Sequence, residues 1–348
     1  MALVINSDYI HPAELTGYVR AALADMPVND LGLIDELLPD NPIDDVEFRA
    51  NITQGGLKRA AQFRSWDTEA RITGRKGITR IQGELPPMSE KRRLGEYDRL
   101  RLRKAEAGIR DAIFNDAVEI ADAIRTRVIM AKAEAIHTGK ITLAENGLEL
   151  EADFQRDSSL TVAAATKWNV VTDSGAGTTA ADPIADQTSW FSTWRTFNGG
   201  NPGRAICSQR VMTALMKNES IRAYCLPPGS TQGIVTVDQV NALFNSFGHP
   251  SFTIFDAQVA DESGTATRLI PDTKILYLPA PGIKVGETAW GTTAEALEAE
   301  YGIDESEAPG IVVGSYIDND PVARWTKASG IALPLLLNAN ASMVATVL

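Results

Sequence analysis

One segment of the chain repeats apolar residues at steps of three and four over an unusual length. Between about Lys104 and His137 these positions are Ile109, Ile113, Ala117, Ile120, Ile124, Val128, Ala131 and Ala135. The spacing predicts one amphipathic α-helix with a continuous apolar stripe. At 1.5 Å per residue this helix would be about 50 Å long, roughly three times the average. A helix of that length needs a broad surface to pack against.

The segment before the helix has few apolar residues. Residues 51–90 are predicted to form a long β-hairpin, in which WDTEARIT pairs with GITRIQGEL across a turn from Gly74 to Gly77. An isolated two-stranded ribbon is only marginally stable in water. We therefore expect this ribbon to lie on another surface, and the pattern indicates a protein that is completed by its neighbours.

The first 50 residues are predicted to form an arm, with one short helix from Pro12 to Ala24. After the spine helix, alternating residues on both sides of Asn146-Gly147 predict a second hairpin. Helices capped by Asp182, Ser208 and Thr236 then alternate with strands, and three further strands end the chain. These elements predict an α+β protein.

The charges are unevenly distributed along the chain. The net charge of −12 argues against a general affinity for nucleic acid, because phosphate binding needs clustered cations. Residues 1–48 contain ten acidic residues and one basic residue, whereas residues 49–104 contain fifteen basic and six acidic residues. These opposite blocks predict attraction between subunits, or between the arm and a neighbouring domain. The alternative is that each block is simply a solvated surface.

The sequence contains no pattern typical of a secreted or membrane protein. Cys207 and Cys225 are predicted to be two reduced thiols, and the N-terminus has no features of a signal peptide. The most apolar stretch is interrupted by Pro334, Asn338 and Asn340, so no membrane span is expected. These features predict synthesis in the cytoplasm.

Catalytic and metal-binding motifs are also missing from the sequence. It has no GxSxG, HExxH or GxGxxG pattern, and its three histidines are far apart. The acidic residues between Glu295 and Glu307 lack the spacing of a calcium-binding EF-hand loop. We therefore expect no catalytic residues, no metal and no cofactor, and expect that the protein is not an enzyme.

The C-terminal part carries a resemblance to a known family. The segment PGIVVGSYIDNDPVARWTKASGIALPLLLNANASMVATVL, from Pro309 to Leu348, closely resembles the end of lambda-type phage major capsid proteins. Other matching segments occur upstream in the family's order: LIDELLP, DVEFRA, HTGKITLAENGLELEADF, DPIADQTSWF, LIPDTKILYLP and VGETAWGTT. The resemblance begins near Leu33 and reaches the C-terminus. The gene could belong to a phage or to a prophage.

The resemblance implies the tailed-phage major capsid fold. Its parts would be an N-terminal arm at 1–50, an extended β-hairpin loop at 51–95, a peripheral domain at 96–172 and 311–348, and an axial domain at 173–310. The peripheral domain would contain the spine helix, with a core face formed by Ile109, Ile113, Ile120, Ile124 and Val128.

The implied function is that of a major capsid protein, which self-assembles as pentamers and hexamers into an icosahedral shell around double-stranded phage DNA. Scaffolding, portal and decoration proteins would be its partners, and the DNA would be held without sequence-specific binding. The residues expected to join neighbouring subunits lie on the extended loop and are Lys58, Arg59, Arg64, Trp66, Arg71, Arg75, Lys76 and Arg80. Two alternatives remain at this point, an encapsulin-like compartment of the same fold and a soluble enzyme.

Overall fold

The structure is a computed structural model. It describes residues 10–25, 32–52, 60–61, 63–70, 79–102, 106–170, 180–227, 234–260, 264–304, 307–319 and 322–348. The helices are α1 Pro12–Asp25, α2 Gly32–Leu37, α3 Glu96–Leu102, α4 Glu106–Thr138, α5 Pro183–Asn198, α6 Gln209–Lys217, α7 Glu219–Cys225, α8 Val237–Ser246 and α9 Ala294–Leu297. Helix α4 is the predicted spine, and its bounds agree closely with the sequence prediction.

The strands form two larger sheets and three hairpins. The strands are β1 Asp40–Pro42, β2 Glu47–Ile52, β3 Thr79–Glu84, β4 Pro87–Leu94, β5 Lys140–Glu145, β6 Leu148–Asp153, β7 Thr161–Ala163, β8 Arg204–Cys207, β9 Phe252–Ile254, β10 Gln258–Ala260, β11 Ala266–Arg268, β12 Lys274–Leu278, β13 Glu287–Gly291, β14 Val312–Asn319, β15 Val322–Leu335 and β16 Met343–Thr346. The first sheet has the order β1-β13-β15-β14, with β4 also paired to β15. The second has the order β7-β16-β12-β8-β9, and the hairpins are β2-β3, β5-β6 and β10-β11.

The apolar stripe of α4 is buried between α1 and the first sheet. All five predicted core-face residues are at most 8% exposed: Ile109, Ile113, Ile120, Ile124 and Val128. They share one hydrophobic cluster with Leu15 and Val19 of α1 and with Ala328 of β15. The chain itself therefore supplies part of the broad surface that a helix of about 50 Å requires.

The predicted partner of strand β3 is wrong. The sequence prediction paired this strand with WDTEARIT, whereas the structure pairs β3 with β2, from Glu47↔Glu84 to Ile52↔Thr79. The reason is burial: Phe48, Ala50 and Ile52 alternate along β2 and insert into the core, while residues 63–70 are all exposed. The hairpin thus begins within the segment that was expected to be the arm, and no strand is present at 63–70.

A second difference concerns residues 87–94, for which the sequence analysis predicted no strand. They form strand β4, which pairs with β15 from Arg324↔Leu94 to Ile331↔Pro87. Six of its eight residues are exposed, so its side chains give almost no apolar alternation. Its backbone hydrogen bonds to β15 hold it in place, and the pattern of side chains does not reveal them.

The predictions for the second hairpin and the helix caps are confirmed. Asn146 and Gly147 have φ values of 50° and 85°, as a two-residue hairpin turn requires. The side chains of Asp182, Ser208 and Thr236 accept hydrogen bonds from the first turns of α5, α6 and α8. Among the strands that alternate with these helices, the stretch SFTIFDAQV is divided between β9 and β10.

Each large sheet combines strands that are far apart in the sequence. Strand β13 pairs with β15, although these strands fall in the expected axial and peripheral parts respectively. Strand β16, which falls in the expected peripheral part, lies between β7 and β12 in the second sheet. The C-terminal chain therefore links both sheets, and the four-part division of the chain stays a prediction.

The spine helix gives the first testable prediction. We expect Ile120→Ala to lower the free energy of unfolding by about 2–5 kcal/mol, because it opens a cavity between α4 and β15. Equilibrium urea unfolding of the unassembled protein measures this change. The matched control is Asp111→Ala on the exposed face of the same helix, which should change stability by no more than about 0.5 kcal/mol. Equal effects of the two substitutions would contradict the buried stripe.

Candidate assembly interface

The base of the β2-β3 hairpin is fixed to the body of the protein. Phe48 and Ile52 are at most 4% exposed and belong to the same hydrophobic cluster as Leu85 and Ile136. Gly83 of β3 lies against the ring of Phe48, and a Cβ atom there would be 3.0 Å from the Cε1 atom of Phe48. This contact leaves little room for a larger residue. The ribbon therefore leaves the body at a fixed position.

Beyond this base, the described part of the loop makes no contact with the body that would bury its side chains. Every residue of 63–70 is exposed, including Phe63 at 107% and Trp66 at 95%. A local turn orders this segment, since the hydroxyl of Thr68 donates to Ser65 O at 2.8 Å and Arg64 donates to Thr68 O. Two large rings fully exposed to water are unusual on a self-sufficient surface. They indicate a contact that one copy of the chain does not supply.

The predicted loop residues can be located only in part. Arg64 and Trp66 lie in the exposed turn, and Arg80 is an exposed residue of β3 whose Nε atom lies 3.5 Å from Asn51 Oδ1. The remaining predicted loop residues lie outside the described residues: Lys58, Arg59, Arg71, Arg75 and Lys76. The structure therefore brings Arg64 and Trp66 together in one turn and places Arg80 apart, on the ribbon.

Part of the acidic block forms ion pairs inside the same molecule. Lys132 Nζ donates to Asp35 Oδ1 at 2.9 Å and to Asp40 Oδ1 at 2.8 Å, although only 3% of the lysine side chain is exposed. Arg125, two turns earlier on α4, donates to Leu23 O at 2.8 Å and lies 3.7 Å from the second oxygen of Asp35. These two cations fasten α1, α2 and β1 to the spine helix.

Sequence reasoning missed Lys132, because this residue is not part of the apolar stripe of the helix. A signal was present in the chain. Lys132 is surrounded by the small or apolar residues Ala131 and Ala133, and the acidic Asp35 and Asp40 lie within one short segment. Only the folded chain brings these groups together.

A second acidic contact fixes the end of α2. Glu36 Oε1 accepts a hydrogen bond from Gly282 N at 2.7 Å, and Oε2 accepts one from Arg204 Nη1 at 3.0 Å. The Gly282 N–H, together with Arg204, lowers the pKa of Glu36 below its usual range. The carboxylate therefore connects helix α2 to strand β8.

Helix α1 covers one edge of the first sheet. Thr16 Oγ1 donates to Val313 O and accepts from Val313 N, both at 3.1 Å. The hydroxyl therefore provides hydrogen-bond partners for both backbone groups of Val313 on the outer edge of β14. Arg20 on the next turn donates to three backbone carbonyls, those of Glu307, Pro309 and Ile311. Burial lowers the pKa of the Arg20 guanidinium. Helix α1 is thus an integral part of the body.

The described residues contain no group of three or more His, Cys, Asp or Glu side chains arranged to hold a metal. Cys207 is buried and Cys225 is half-buried, and both thiols are free. Among the same residues, no helix is both long enough and apolar enough to cross a membrane.

The family is defined by a sequence match over almost the whole chain. The profile of the phage major capsid protein E family matches residues 15–347. No protein with a curated description matches the chain. The chain belongs to the phage major capsid protein E family and is a capsid shell protein of the virion. This is a family of structural proteins.

Solved structures agree on the fold. A phage-related protein from Bordetella bronchiseptica RB50 is 15% identical, with a TM-score of 0.56 over 99% of this chain and 97% of that one. A prophage protein of E. coli CFT073, assigned as a capsid protein, is 13% identical, with a TM-score of 0.61 over 97% of this chain and 99% of that one. The expected tailed-phage capsid fold is confirmed. The encapsulin alternative has weaker support.

The ion pairs of Lys132 give the second prediction. We expect Asp35→Asn combined with Asp40→Asn to destabilise the protein by about 3 kcal/mol or more, because it leaves a buried ammonium without a carboxylate. Lys132→Met should cost clearly less, since both aspartates retain access to water and the methionine fills the same space. Urea unfolding of both variants makes the comparison. A larger decrease in the free energy of unfolding for Lys132→Met than for the double aspartate variant would contradict this account.

Proposed function

We propose that this protein assembles as pentamers and hexamers into an icosahedral shell that encloses double-stranded phage DNA. In this proposal the ribbon and its loop extend from one subunit onto the next. The observation that carries the proposal is the contrast along the hairpin: its base is held by buried Phe48 and Ile52, while Phe63 and Trp66 are fully exposed. A hairpin that is packed into the body at its base and exposes two aromatic rings farther along suits a contact between copies.

The basic residues of the loop would contribute many weak contacts. We propose that Lys58, Arg59, Arg64, Arg71, Arg75, Lys76 and Arg80 face acidic residues of the neighbouring subunit. An exposed ion pair contributes only ~0–1 kcal/mol. Repeated over every contact of a shell, such pairs would hold subunits together while allowing misplaced ones to leave. Since Asp35 and Asp40 are already paired with Lys132, the acids that meet the loop should be other ones.

The inner wall of the shell should bind DNA weakly. Packaged DNA has to slide as it enters, and tight phosphate binding requires clustered Lys and Arg side chains. The net charge of −12 supports a wall that repels phosphate overall. We propose that the DNA is therefore confined by the shell and is not bound by sequence.

Other virion proteins would complete the assembly. We propose that scaffolding and portal proteins act during assembly in the cytoplasm of a bacterial host. We also propose that a decoration protein contacts the N-terminal segment and the ribbon, by adding a strand to an exposed edge. Because α1 is packed into the body, a test of this contact should remove only residues 1–9. The expected result is weaker decoration with unchanged shell formation.

The main experiment is electron microscopy of the protein expressed alone and together with its neighbouring genes. We expect hollow particles of uniform diameter, and in the second case particles that contain DNA. Particles that instead contain a packaged enzyme would favour an encapsulin-like compartment. A small monomer at all concentrations, measured by sedimentation, would contradict assembly altogether.

Charge reversal of the ribbon tests the role of its arginines. We expect Arg71→Glu, Arg75→Glu and Arg80→Glu together to block shell formation, because like charges would then meet at the contact. The protein should stay soluble with an unchanged unfolding midpoint. The control is the triple change of the same residues to lysine, which keeps the charge and should preserve assembly. Normal shells from the reversed variant would refute the proposed pairing.

A further inference from the structure

The face of the first sheet opposite to α4 carries a group of aromatic and basic side chains. Arg93, Trp325 and Tyr316 lie directly opposite one another on β4, β15 and β14, so they share one face. The rings of Tyr316 and Trp325 are nearly parallel, at 11°, with centroids 6.5 Å apart. Lys91 Nζ lies 4.7 Å from the centroid of the Trp325 ring. We name these four residues the aromatic platform.

The neighbouring part of the same face is covered by the chain itself. Tyr301 packs so closely over Gly314 that a Cβ atom there would be 2.6 Å from the tyrosine ring. Glu295 accepts hydrogen bonds from Lys327 at 2.5 Å and from Ser329 at 2.8 Å. The segment around α9 thus protects one half of the face, next to the platform.

The platform itself is open to solvent. Trp325 and Tyr316 are half-buried, and Lys91 and Arg93 are exposed. No carboxylate within the described chain forms an ion pair with Arg93. Trp, Tyr and Arg are the residue types that contribute most to protein–protein binding energy. An open surface composed of them indicates a binding site for a partner with aromatic and acidic groups.

The exposed turn of the loop has this composition. Trp66 and Phe63 are fully exposed, and the exposed carboxylates of Asp67 and Glu69 lie one and three residues after Trp66. Asp67 adopts a φ of 62°, which turns the chain sharply at the residue after Trp66. The turn also contains Arg64, which donates to Thr68 O, so its two carboxylates outnumber its one guanidinium.

We propose that the turn at 63–69 of one copy docks on the aromatic platform of a second copy. Trp66 would pack against Trp325 and Tyr316, while Asp67 and Glu69 would face Lys91 and Arg93. This inference rests on the proposed function, and it names the surface that receives the loop. The 26 residues between β2 and β3 let the turn reach at most about 40 Å from the hairpin.

Charge complementarity selects a second copy as the occupant. The platform has two exposed cations and, on the same face, the exposed carboxylate of Asp318. Two cations beside a carboxylate make a poor phosphate surface, since binding to DNA depends on the number of phosphates neutralised. The acidic, aromatic turn matches both the charge and the rings, and each copy of the chain carries one turn and one platform.

Disulfide trapping tests the contact directly. In a Cys225→Ser background, Asp67→Cys combined with Arg93→Cys should give covalent multimers on a denaturing gel after mild oxidation of assembled shells. The control pair, Asp67→Cys with Lys284→Cys, uses an exposed lysine of another loop and should remain monomeric. Intact shells without multimers would overturn the proposal, and so would a disulfide formed within one copy.

A charge swap covers the case in which the cysteine variant does not assemble. We expect Lys91→Glu with Arg93→Glu to raise the critical concentration for shell formation about tenfold or more, and Asp67→Lys with Glu69→Lys to do the same. Combining all four changes should restore assembly, which only a direct contact explains. Lys284→Glu, the control, should leave assembly unchanged.

The outcomes separate this inference from the proposed function. If the unaltered protein forms no shells, the proposed function fails. If it forms shells but the swap gives no rescue, only the docking of the turn on the platform fails. Platform variants that assemble normally but lose a decoration protein or DNA would also overturn the docking, because they would assign the surface to another partner.

Discussion

The structure depends on the packing of the apolar stripe of α4 against β15 and α1. Ile113, Ile120 and Val128 lie in one continuous cluster with the inner face of the sheet, and burial of such side chains is the main favourable term in folding. Strand β15 pairs with three neighbours, β4, β13 and β14. One helix and one strand thus organise the body from which the ribbon extends.

Ion pairs fix the position of the N-terminal segments on this packed core. Burying Lys132 removes an ammonium from water, which is costly unless carboxylates compensate. Asp35 and Asp40 do so, and the segment that they belong to leads directly into the hairpin β2-β3. Asp35 and Asp40 therefore set where the ribbon starts. The hydrophobic contacts of Phe48 and Ile52 then fix its direction.

The same molecule leaves two complementary surfaces unsatisfied. The loop turn exposes Phe63 and Trp66 beside carboxylates, and the sheet exposes Trp325 and Tyr316 beside Lys91 and Arg93. In the proposed docking, the turn of each copy would be covered by the platform of another, and this favours assembly of many copies over a compact monomer. A family of shell-forming proteins has this requirement.

The sequence alone determined the long helix, the Asn146-Gly147 hairpin and the helix caps, because these depend on interactions between residues that are close along the chain. The ordered segment matches also determined the family. Only the tertiary structure decided the partner of β3, the strand β4 and the burial of Lys132. In each case the stabilising group is remote: Phe48 is about 35 residues before Gly83, and Asp35 lies nearly a hundred residues before Lys132. Local periodicity contains no information on such pairs, since they form only when the core brings distant segments together.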